Sequence, residues 1–329
     1  MKKIKVIELG GTISAKGTDR LDLKDYHTGV YTGEDFLKEI PEMNEIADVS
    51  FESFLRVSST EINAEHWVLL RNKMIQYLEE ENYDGIVVTQ GTNTLEETSY
   101  FLHLTIPSEK PIVVVGAQRP FTALSTDAHL NIINAIRVAA SDNAYNKGVL
   151  AVLNDEINSA REVTKTNTYR GEAFQSGQFG YLGYVDTDRK VHFYREPTRR
   201  HTKNSEFASL DIEKLPEVEI VYSYAGATGH LIEHITDSGK FKGIVTAGTG
   251  AGLVSPSELK ALQKATDAGL YVVRSSRVGN GRVVGIEPYK EYPFISGDNL
   301  LPQKARILLM LALLKYDTIE DIQRVFDEY

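Results

Sequence analysis

A chain of 329 residues with a formal net charge of −10 and a quarter of its residues charged is long enough for about two domains with cores of their own. The acidic balance excludes a nucleic-acid surface, since phosphate binding needs a basic face. The chain has no cysteine, which removes disulfides, thiol nucleophiles and thiolate metal sites.

No apolar run is long enough to span a bilayer, so no membrane partner is expected. Met1-Lys2-Lys3 enters an alternating strand at once, without the apolar core of a secretory leader. A cytoplasmic location is therefore expected. Residues 4–9 predict a strand that stops at Gly10-Gly11, and the small residues around Thr12 predict a mobile loop. A helix over 34–40 is closed by Pro41. Residues 49–57 form a strand that ends in Ser58-Ser59-Thr60-Glu61, and 65–80 has helical periodicity, with Trp67, Leu70, Met74 and Leu78 on one side. The apolar run Ile86-Val87-Val88 then breaks at Gly91 and passes into a helix start. Thr92 or Thr94 is placed to cap it, with Glu96 and Glu97 in its first turn.

Further along, 111–116 and 149–153 read as buried strands, 128–140 as a long helix, and 161–168 as a polar segment carrying Lys165. From 195 to 216 the chain turns polar and basic between Pro197 and Pro216, which reads as a linker. Beyond it come strands over 218–223, 243–247 and 270–274, helices near Leu231 and Leu259, and two closing helices over 302–314 and 319–328. The expected fold is α/β: a larger N-terminal, doubly wound, mainly parallel sheet (1–194), then the linker (195–216), then a smaller C-terminal α/β domain (217–329). Open sheets of this kind bind ligands at the carboxyl edge of their strands. Gln90-Gly91-Thr92-Asn93-Thr94 falls at such an edge.

His230-Leu-Ile-Glu233-His234 matches the H-x-x-E-H pattern of one class of zinc protease. With no third ligand, it reads as a solvated helix with two surface histidines, and no metal or other cofactor is expected. The chain has no phosphate loop, dinucleotide fingerprint or serine elbow. What remains is hydroxyl chemistry. A threonine is a weak nucleophile until a neighbour takes its proton. Lys165, desolvated after a buried strand, is suited to serve as a base. Gly10-Gly-Thr-Ile, Gln90-Gly-Thr-Asn-Thr and Val163-Thr-Lys-Thr-Asn-Thr together describe a threonine-based amide hydrolase.

Over essentially its full length the chain resembles the bacterial L-asparaginase and glutaminase-asparaginase family. The resemblance is carried by Gly10-Gly11-Thr12-Ile13, Leu95-Glu-Glu-Thr98, Val115-Gly-Ala-Gln-Arg-Pro120, residues 161–168, Arg274-Ser-Ser-Arg277 and Pro302-Gln-Lys-Ala-Arg306. It implies that Thr12 attacks the side-chain carboxamide of asparagine to form an acyl-enzyme, which water then resolves to aspartate. It further implies that Tyr26 assists Thr12 and that Thr92 and Lys165 polarise the site or activate water. Backbone donors near Thr12 and Thr92 would hold the oxyanion. Ser59 matches the serine that binds the α-carboxylate. Thr60, Gly91, Asn93 and, more loosely, Glu287 complete the substrate pocket. No cofactor is implied, and the family's usual assembly is a homotetramer of intimate dimers.

Four positions depart from that pattern. The family's His-Gly-Thr-Asp-Thr reads Gln90-Gly-Thr-Asn-Thr, Thr60 stands for a glutamine, Ala251 for an asparagine, and Glu8-Leu9 for a small residue and a threonine. Three of the four touch the pocket for the substrate's amino group. A hydrogen bond to a charged partner contributes roughly 1.5–3 kcal/mol, so its loss weakens free asparagine by about one to two orders of magnitude. The substrate is thus expected to be L-asparagine or an asparagine substituted on its α-nitrogen. The rival is a non-catalytic homologue that binds an amino acid. Glu8, a carboxylate among Val6, Ile7 and Leu9, is expected to have a basic structural partner.

Overall fold

The computed structural model describes Met1–Tyr329, which divide into two compact units, residues 1–211 and 212–329. The first is built on an eight-stranded sheet. Its spatial order is Val191–Phe193, Gly183–Val185, Glu156–Ser159, Val149–Leu153, Ile112–Val115, Gly85–Thr89, Lys3–Gly10, Asp48–Val57. The last five of these are parallel, and the three on the other edge run antiparallel to their neighbours. Gly85–Thr89, Ile112–Val115 and Val149–Leu153 are buried along their whole length. Parallel strands covered on both faces require such unbroken apolar runs.

Strand order fixes where a site can form. The chain passes from Lys3–Gly10 outward to Asp48–Val57, then returns to lay Gly85–Thr89 on the opposite flank of the first strand. The crevice at the carboxyl ends of the first and third strands is therefore the topological switch point, where open α/β sheets take their ligands. Their register, Ile4 opposite Gly85 through Glu8 opposite Thr89, brings Gly10-Gly11-Thr12 beside Gln90-Gly91-Thr92. The helix Ala64–Glu79 covers this region by stacking Trp67 on Phe101 of the helix Leu95–Thr105, with ring centroids 5.6 Å apart.

Much of the stretch read as a linker is packed rather than free. Phe207 and Ala208 are buried, and the buried Arg71 guanidinium donates to the carbonyls of Ala208 at 3.0 Å and Leu210 at 2.8 Å. The stretch is held through its backbone carbonyls, which take their donors from Arg71 on the helix Ala64–Glu79. The second unit carries four parallel strands in chain order, Val218–Tyr222, Gly243–Gly248, Tyr271–Ser276 and Phe294–Ser296. Its helices are His230–Asp237, Pro256–Asp267, Pro302–Ala312 and Ile319–Glu328. Phe294–Ser296 and the antiparallel strands of the first sheet escape a reading of periodicity because they span three or four residues each.

Candidate active site

Thr12 follows two glycines with left-handed backbone, Gly10 at φ 95° and Gly11 at φ 83°. A Cβ on Gly11 would stand 2.1 Å from the Gly91 backbone. Only glycine allows the ends of the first and third strands to meet main chain to main chain. Gly11 N–H also donates to the Val57 carbonyl at 3.1 Å, and a tight turn, Thr12–Ser14, closes with Ala15 N–H on the Thr12 carbonyl at 3.0 Å. The expected mobile loop is thus a pinned turn, with Thr12 only 7% exposed. Here the glycines serve close approach instead of mobility. Thr12 Oγ1 lies 3.0 Å from the Tyr26 hydroxyl, which is carried on a ribbon pairing Lys16–Gly17 with Tyr26–His27.

Across the crevice, the third strand turns at Gln90–Thr94. Thr94 stands at the helix N-cap, but its hydroxyl does not cap. It donates to the Ser59 carbonyl at 2.7 Å and accepts from Gln90 Nε2 at 3.2 Å, tying the turn to the end of the neighbouring strand. Buried Ser59 accepts the Asn93 backbone N–H at 3.2 Å. A Cβ on Gly91 would meet the Ser59 hydroxyl at 2.8 Å. Ser59, Gly91, Thr92 and Asn93 therefore form one continuous wall.

Lys165 reaches this wall from the ribbon Thr164–Lys165, paired with Phe174–Gln175. Its ammonium is 2.8 Å from Thr92 Oγ1 and 3.5 Å from Asn93 Oδ1. Burial holds the Lys165 pKa below the ordinary lysine value, and the nearby Glu96 carboxylate opposes that shift. A lysine so lowered exchanges a proton with a hydroxyl more readily than a solvated one.

Two predicted pocket residues have other company. The Thr60 hydroxyl lies 2.9 Å from Ser58 Oγ in an exposed turn. Glu287 opens the short turn Glu287–Tyr289 of the second unit and faces Lys290 at 3.8 Å, largely in solvent. Glu8 is 6% exposed. Desolvation pushes its pKa up to about 7, while Arg56 and the Gly33 N–H favour its charge and Asp35 disfavours it. Arg56 is thus the basic group that acts on Glu8, without offsetting its burial. No group of three or more His, Asp or Glu side chains is placed to hold a metal. His230 and Glu233 pair on an exposed helix face, where Lys264 joins them. A separate groove lined by Glu39, His129, Arg137, Asp155, Tyr184 and Arg189 shares no residue with the site.

Sequence reasoning missed the role of Glu96, whose carboxylate accepts the Lys165 backbone N–H at 2.7 Å. Its only signal was a carboxylate in the first helical turn, which dipole compensation already explained.

Two hydroxyls at a sheet's switch point, one against a phenol and one against a half-buried lysine, define a hydrolase working through an oxygen nucleophile. Comparison with known proteins narrows that class. Residues 3–199 match the family model "Asparaginase, N-terminal", and residues 217–326 match "Glutaminase/Asparaginase C-terminal domain". The whole chain is 42% identical to L-asparaginase 2 of Bacillus subtilis, of which it covers 87%. It is 39% identical, again over its whole length, to the glutaminase-asparaginase of Pseudomonas fluorescens biotype A, covering 91%. The crystal structure of a probable cytoplasmic L-asparaginase from Campylobacter jejuni superposes with a TM-score of 0.96 at 40% identity, with both chains fully covered. The chain belongs to the asparaginase family.

Proposed function

We propose that this protein hydrolyses the side-chain carboxamide of L-asparagine, or of an asparagine carrying a substituent on its α-nitrogen, to the aspartate form and ammonia. The observation that carries the reading is the pair of activated hydroxyls. Thr12 is 3.0 Å from the Tyr26 hydroxyl and Thr92 is 2.8 Å from Lys165, on two turns that touch at Gly11 and Gly91. In the first step, Thr12 Oγ1 bonds to the carboxamide carbon while its proton moves toward Tyr26. The C–N bond breaks as the nitrogen takes that proton back from Tyr26 and leaves as ammonia. In the second step water, activated at Thr92 and Lys165, adds to the ester and releases the acid and free Thr12. Ser59 is suited to the substrate's α-carboxylate, and Asn93 with Gly91 borders its α-nitrogen.

Asn93 favours the substituted substrate. It presents a neutral amide, 3.5 Å from the Lys165 ammonium, so it adds no charge to hold a free α-ammonium. Steady-state kinetics on L-asparagine and on an Nα-acyl asparagine separate the two. A kcat/KM for free L-asparagine near 10⁴ M⁻¹s⁻¹ or above, the ordinary enzymic range, refutes the substituted-substrate reading. A non-catalytic binder is not favoured. It would release no ammonia from any carboxamide and would show only ligand-dependent thermal stabilisation.

The assembly that fits this family reading is a homotetramer of intimate dimers. Light scattering at assay concentration tests it, and a monomer mass with full activity overturns it. A cytoplasmic location fits the likeness to the C. jejuni protein, whereas a relative in Haemophilus influenzae, 38% identical, is described as probably periplasmic. No helix of this chain is long and apolar enough to cross a membrane.

A further inference from the structure

Lys165 is gripped at two points by one corner of the chain. Its ammonium donates to Thr92 Oγ1 at 2.8 Å, and its backbone N–H donates to Glu96 Oε2 at 2.7 Å. Thr92 and Glu96 stand on either side of Thr94, where the third strand gives way to the helix Leu95–Thr105. The lysine's own support is slight, since Thr164–Lys165 is a two-residue strand paired with another of two. Glu96 is 6% exposed, and a carboxylate that deep is retained only where it has donors.

We propose that Glu96 is the positioning residue for Lys165: its carboxylate fixes the lysine backbone against the corner and supplies the negative charge that sets the amine on Thr92. The inference rests on reading Lys165 and Thr92 as the pair that activates water. Asn93, which also accepts from the ammonium, is neutral. On the lysine's own segment Arg161 and Glu162 pair with each other at 3.7 Å. Glu96 acts on Lys165 against the burial that lowers its pKa, so removing the charge lets burial lower it further. A carboxylate that merely stabilised the helix N-terminus would cost stability when removed and leave kcat where it is.

The test titrates Lys165 directly, by NMR of protein carrying lysine labelled with carbon-13 at Cε, its signal assigned by its absence in Lys165→Ala. In Glu96→Gln, which keeps an acceptor for the backbone N–H and loses the charge, the midpoint falls below that of the wild type. The lysine-controlled limb of the kcat/KM–pH profile moves the same way. In Glu96→Ala, kcat falls about tenfold or more while KM changes less than threefold, and Glu96→Gln recovers most of the loss. An unchanged midpoint in Glu96→Gln overturns the proposal, and that variant carries the test even if Glu96→Ala does not fold. If wild-type protein releases no ammonia while the midpoint still falls, the hydrolase reading fails and the positioning role stands. If ammonia is released and the midpoint does not move, the reverse holds.

Discussion

Glu8→Gln isolates a carboxylate that the fold keeps at a disadvantage. Glu8 lies on the strand Lys3–Gly10, and its pKa is pushed from the ordinary 4.5 to about 7 by loss of water. Between those values the folded chain holds a proton that the unfolded chain has released, so stability declines as pH rises through the window. At about 1.4 kcal/mol per tenfold change in proton affinity, the loss above pH 7 is about 3 kcal/mol. Glutamine keeps an acceptor for the Gly33 N–H and never ionises. At pH 8 the variant should therefore be more stable than wild type by up to about 3 kcal/mol, and at pH 5 the two should agree within about 1 kcal/mol. For a unit of 211 residues, such a gain raises the melting temperature by roughly 6–12 °C. Thermal melts of both proteins from pH 5 to pH 8 supply the comparison. A wild-type Tm that is flat over this range, with no gain in Glu8→Gln at pH 8, refutes the argument and would mean that Arg56 neutralises Glu8 fully.

Three further outcomes are expected. Tyr26→Phe removes the hydroxyl 3.0 Å from Thr12 and should lower kcat by about 10²-fold with little change in melting temperature; an undiminished kcat would take Tyr26 out of the mechanism. Asn93→Asp restores a carboxylate beside Lys165 and should raise kcat/KM for free L-asparagine by about 10- to 100-fold, read by ammonia release; no gain removes Asn93 as the determinant. Arg71→Ala strips donors from the carbonyls of Thr105, Ala208 and Leu210 and should destabilise the first unit by about 3 kcal/mol. Denaturant unfolding measures this, and a loss below about 1 kcal/mol would mean that water replaces the guanidinium.

The parallel core was legible because its strands are unbroken apolar runs, and Ile86-Val87-Val88 ending at Gly91 could be placed at a sheet edge before any coordinates. The hydroxyl cluster was legible for the same reason, since polar residues crowded after buried strands have few places to go. Three things were not. The rigidity of the Thr12 turn depends on Gly11 meeting Gly91, a contact between residues 80 apart in sequence, whereas local composition speaks only of freedom. Thr94 looks like a cap, but the carbonyl of Ser59, brought in by the neighbouring strand, takes its hydroxyl instead. Glu96 looked sufficient as a first-turn acid, and its hold on Lys165 spans 69 residues of chain.

The central claim is that the Thr12 hydroxyl is the group that becomes acylated. Ammonia release from a carboxamide substrate, measured side by side for wild type and for Thr12→Ala shown to be folded by its melt, tests this most directly. The account predicts a loss of at least about 10³-fold in the variant, with residual turnover from binding and oxyanion stabilisation alone. Wild-type ammonia release from Thr12→Ala would contradict it.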